Sequence, residues 1–157
     1  MTGILNELHD LLFEQIDRHK NLPLLKAAMA SCALAAASTE KVRLCQRVRV
    51  DQILETFDKL KVFDAHEGVE LFNQFVEKIR TDWDSGHSEA LKAVKAVAKN
   101  KETATMLAQF CLLVSQSNGS ISPTERLEIE NLCQLLEIQP EKLGLDCAQS
   151  NEPSIET

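Results

Sequence analysis

VSQSNGSISPTERLEIENLCQLL, residues 114–136, decides how the whole chain reads. It follows an apolar run containing Leu107, Phe110 and Cys111, crosses a polar bend, and enters a stretch with Leu127, Ile129, Leu132, Leu135 and Leu136. Apolar residues three and four apart draw a helix face, and no strand-like alternation competes with it. Ser122-Pro123-Thr124-Glu125 is a helix start: Ser at the N-cap, Pro at the first helical position, Glu three residues on to reach back to the cap. Asn118-Gly119 supplies a turn with positive φ just before it. The stretch is a helical hairpin.

A second hairpin matches it at a constant offset of 79 residues, set by Cys32 against Cys111. Leu34 then falls on Leu113, Ser38 on Ser117, Val42 on Ile121, Arg47 on Arg126, Val50 on Ile129 and Ile53 on Leu132. The rest of the chain is also helical in period. Ile4, Leu5, Leu8, Leu11, Leu12 and Ile16 draw one face of a first helix, which Leu22-Pro23 is expected to end. Ala-rich residues 24–37 suit a bundle centre, and residues 42–58 give a third helix. Asp64, with Glu67 as a capping box, opens a fourth helix with Val69, Phe72, Val76, Ile79 and Trp83 on its buried stripe. A break at residues 84–86 precedes a fifth helix marked by Leu91, Val94 and Val97. Asn100 caps a sixth, Ser122 opens a seventh ending near Glu137, and a last turn follows Pro140. The expectation is an all-α bundle of about seven helices, built from two pseudo-symmetric hairpins that bury each other's apolar faces. Residues 1–145 form one domain, and the polar, acidic residues 146–157 a disordered tail.

Composition narrows the function. In 157 residues, 17 Lys and Arg face 24 Asp and Glu, a formal charge of −7. That balance works against nucleic acid and against anionic membrane surfaces, both of which need clustered cations. Five cysteines, an odd number with no CxxC spacing, argue against a zinc or disulfide framework. Cys32, Cys111 and Cys133 sit among Ala, Leu and Phe as small core hydrophobes. Residues 1–7 lack a secretory signal, so a cytoplasmic, reducing setting is expected, with no membrane insertion.

The pattern of an apolar helix, the bend up to Ile121-Ser122-Pro123-Thr124-Glu125 and an amphipathic helix resembles the TerB tellurite-resistance family over residues 24–145. The resemblance implies an internally symmetric helical bundle in a bacterial stress response. It also implies acidic sites for divalent metal in the bends, and scaffolding beside protein partners of the tellurite-resistance type, a membrane protein among them. Asn118, Ser120 and Glu125 are the residues that would ligate calcium, magnesium or zinc. In the degenerate first copy Thr39, Glu40 and Gln46 stand where the family has Asp, Gly and Glu.

Cation chemistry tests that site independently. With Gly119 at the sixth position of an EF-hand-like loop, Ile121 and Glu125 fall at the eighth and twelfth, where a calcium loop wants them. Val114 falls at the first position and cannot ligate, and Glu125 is the single carboxylate. A weak site, on the order of millimolar or absent, follows. The acid and His groups around Asp64, His66 and Glu70, and around Asp82, Asp84 and His87, read as solvated helix ends. No nucleophile–base signature and no Gly-rich phosphate loop point to an enzyme. Met29, Cys32, Phe72, Phe75, Trp83, Met106 and Phe110 are core side chains that could instead line a pocket for a small flat apolar molecule between the hairpins. The sequence thus favours a non-enzymatic binding or scaffolding protein. A small-molecule-binding module is the alternative, and a homodimer is open to either.

Overall fold

The computed structural model describes residues 2–144. It is all-helical, with no strand among those residues. Six α-helices follow one another: α1 Thr2–Ala37, α2 Leu44–Thr56, α3 Ala65–Thr81, α4 Trp83–Val97, α5 Lys101–Ser115 and α6 Pro123–Leu135. A 3₁₀ turn, Pro140–Leu143, follows. Residues 146–157, expected to be a disordered tail, lie outside the described residues, as does Cys147.

The count is six rather than seven because the first two expected helices are one. α1 runs straight through Pro23. A proline inside a helix leaves the carbonyl four residues earlier without its bond. Pro23 and His19 both occupy exposed positions, where water can take that bond, so the helix continues. Its second half is the centre of the fold: Leu25, Ala28, Met29, Cys32, Ala35 and their neighbours are fully buried, and only Lys26 looks outward. Small Ala side chains let α3, α4 and α5 all pack on this half. The first half packs on almost nothing; its apolar stripe is exposed.

Local signals set most other boundaries. Asn100 Oδ1 accepts from Thr103 N–H at 2.8 Å, and Ser122 Oγ from Glu125 N–H at 3.1 Å. Asp64 caps α3 through His66 N–H at 3.2 Å, but the expected reciprocal Glu67 contact is absent, because the Glu67 carboxylate pairs with Arg18 of α1 instead. The expected break at residues 84–86 lies inside α4, with Asp82 alone between α3 and α4. Gly86 has a different purpose. A Cβ there would stand 2.4 Å from the Lys78 carbonyl and the Ile79 nitrogen, so its missing side chain is what lets α4 close onto the end of α3.

The two hairpins carry the expected core. Cys32, Cys111 and Cys133 are fully buried, and burial pushes the Cys133 thiol up to about 11. Phe57 meets Phe110 edge-on with ring centroids 4.6 Å apart. In each pair the amphipathic helix of one hairpin touches the apolar helix of the other: α2 lies on α5, and α6 on α1.

Candidate functional site

The bends at residues 38–43 and 116–122 meet at one end of the bundle. Each opens its second helix in the same way. In the second bend Ser122 and Glu125 form a full capping box, with Glu125 Oε1 accepting from Ser122 N–H at 3.3 Å. In the first, Gln46 occupies the position equivalent to Glu125, and its Oε1 accepts from Arg43 N–H at 2.9 Å. Gln46 Nε2 is buried with no hydrogen-bond partner. Gly119 takes φ of 88°, the positive-φ turn that Asn118-Gly119 implies.

A clasp joins the bends. The Arg43 guanidinium lies 3.4 Å from both carboxylate oxygens of Glu125, which is only 1% exposed. Ser117 Oγ donates to Cys45 Sγ at 3.3 Å beside it. A buried carboxylate must be neutralised or protonated, and here a cation from the opposite hairpin serves. Glu125 is therefore fully engaged: by the α6 N-terminus, by Ser122 and by Arg43.

This arrangement does not fit a resident divalent cation. Asn118 Oδ1 is turned back onto Ser120 N–H at 3.3 Å, and both residues are exposed, while Glu125 is buried behind them. Val114, at the first position of the hypothetical loop, is fully buried in α5. Thr39 Oγ1 bonds the carbonyls of Ala36 and Lys41, and Glu40 stands exposed, apart from the buried Gln46. Among the described residues no three His, Cys, Asp or Glu side chains gather as a metal site. The second bend's one carboxylate already faces a guanidinium, so the charge that would offset a cation's dehydration is spent.

The proposed pocket residues divide. Met29, Cys32, Phe72 and Phe110 are buried core, with Phe75 nearly so. Trp83 is not part of that cluster: it begins α4, is 48% exposed, and stacks on His87 at 4.8 Å. As the first helical residue it projects from the end of α4 instead of continuing the buried stripe of α3. Met106 and Phe110 do line a cleft of about 470 Å³ where α1 leaves the bundle, with Leu24, Phe57, Leu60 and Val97.

One buried polar pair escaped the sequence reading. His87 Nε2 lies 2.6 Å from Oε1 of Glu128, a residue only 5% exposed, across 41 positions. A signal existed: Glu128 falls on the same face of α6 as Ile129 and Leu132, and a carboxylate on an apolar stripe needs a partner. Glu128 and Glu125 also flank the buried Cys111. Burial first, and these carboxylates with the neighbouring thiols second, hold that thiol well above its ordinary range.

Residues 25–145 match the family described as "Tellurite resistance protein TerB". A relative from Alcaligenes sp., named "Tellurium resistance protein TerB", is 29% identical over 106 residues, covering 68% of this chain and 87% of its own length. No solved structure matches. The matched span takes in both hairpins, both bends and the clasp between them, and on that extent the chain belongs to the TerB family.

Proposed function

We propose that this chain serves a bacterial tellurite-stress response from the cytoplasm as a non-enzymatic binding or scaffolding protein, with cation binding at its bends weak or absent. The supporting observation is the Arg43–Glu125 clasp, which places a guanidinium against both oxygens of the second bend's carboxylate. A bend closed in this way holds the hairpins together and leaves the outer side of α2 for a partner. Leu44 and Val48 are exposed one turn apart there, beside Arg47 and near Lys41. Asp51 and Glu55 continue the same exposed face, so the patch is apolar with both signs of charge around it, and it suits a partly apolar segment of mixed charge on a partner protein of the tellurite-resistance set.

The test is tellurite survival of a bacterial host lacking its own TerB and carrying this chain. Scaffolding predicts that Leu44→Glu with Val48→Glu loses resistance while the protein stays folded. Resistance kept by that double variant, at unchanged protein level, would overturn the reading. The cleft beside Met106 and Phe110 favours a second reading, a small apolar ligand held at the α1 exit. Thermal stabilisation by aromatic compounds, removed by Met106→Glu, would support it, and no stabilisation by any of them would discard it.

A further inference from the structure

Residues 3–20 lie outside the family match and outside the clasp, yet carry the largest exposed apolar surface of the described chain. Ile4, Leu5, Leu8, Leu11, Leu12 and Ile16 fall within one stripe of α1, each 51–70% exposed, and Phe13 lies beyond it against His9. A monomer rarely leaves a contiguous apolar patch above a few hundred Å² in water. We propose that this arm is a self-association surface, pairing antiparallel with the same arm of a second copy of the chain.

Three observations select that occupant. The stripe's six large side chains, each more than half exposed, offer on the order of 600 Å² per copy, approaching the ~800 Å² per partner of a standard interface. The opposite face of the arm carries Asp10, Glu14 and Asp17, which anionic lipid headgroups would repel. Geometry then sets the direction. With the twofold axis at Leu12, Leu8 of one copy meets Ile16 of the other, and the folded bodies sit at opposite ends. A parallel pair would crowd both bodies at one end. Glu7 and Arg18 border the same edge of the stripe, so antiparallel pairing sets each beside its opposite charge, whereas parallel pairing puts those two edges on opposite sides of the seam, out of reach of each other. Arg18 contacts Glu67 within its own chain, an exposed pair it can share or exchange.

Sedimentation of the full chain across the micromolar range is the test. The expected mass is twice the chain's 17.5 kDa at the upper concentrations. Leu8→Glu with Leu12→Glu returns the single-chain mass with unchanged helix content, because both positions are exposed in one chain and Glu is a good helix former. Glu7→Arg weakens association about fivefold, two symmetry-related exposed pairs being lost, and adding Arg18→Glu restores it. A single-chain mass at every concentration overturns the proposal, as does a dimer that survives the double Leu variant. Binding of the lone chain to phosphatidylglycerol vesicles without self-association overturns it too. Failure of the charge exchange to restore pairing overturns the antiparallel arrangement.

Discussion

Single residues decide what the bends can hold. Glu125 was legible as a helix cap because its partner Ser122 is three residues away, and the structure has that box. Its second role was not legible: Arg43 is 82 residues distant, and no local pattern records which cation will meet a buried carboxylate. The same holds for His87 and Glu128. Arg43→Ala is expected to destabilise the fold by about 2 kcal/mol, short of the ~3–5 kcal/mol for a dry pair because Arg43 is partly exposed. Chemical denaturation of the variant measures this, and a cost near zero would mean that water or another group neutralises Glu125 as well as Arg43 does. The cysteines give a second residue-scale outcome. Burial holds the Cys32 and Cys111 thiols protonated and out of reach, so brief alkylation at pH 8 should leave both unmodified until denaturant is added. Peptide mass spectrometry reads the result directly.

At the level of elements, periodicity located every helix, and punctuation misplaced two boundaries. Leu22-Pro23 reads as a stop, yet α1 passes through it, because a lost helix bond on a wet surface costs less than breaking a helix whose next turns form the core. Gly86 reads as part of a break, yet it lies within α4, where a Cβ would meet the backbone of α3 at 2.4 Å. Whether a glycine relaxes a turn or clears a path for another backbone depends on tertiary neighbours absent from a local sequence window. Gly86→Ala should therefore destabilise by about 2–3 kcal/mol despite Ala's higher helix propensity, through overpacking against the Lys78 carbonyl. Thermal unfolding decides it; a stabilised variant would mean that α4 can slide away freely. Trp83 was misplaced for a related reason: it obeys the spacing of the α3 stripe but begins the next helix.

For the whole molecule, the repeat was the most informative feature of the sequence. Cys32 against Cys111 and Val50 against Ile129 place fully or almost fully buried residues at equivalent positions of the two hairpins, and the helices they belong to do pack crosswise. What distance in sequence concealed is how the two bends are tied together. The family pattern leads one to look for a cation between acidic loops. In this chain the first bend carries Arg43 and leads into Gln46, and the guanidinium occupies the side of Glu125 where positive charge is required. The bends are thus joined by a side chain. Differential scanning calorimetry with and without calcium tests it most directly. A cation held with a submillimolar constant would add more than about 1.4 kcal/mol at ten times that concentration, a rise of several degrees in Tm. No rise is expected beyond a matched-ionic-strength control. A rise of several degrees that Glu125→Gln abolishes would contradict it.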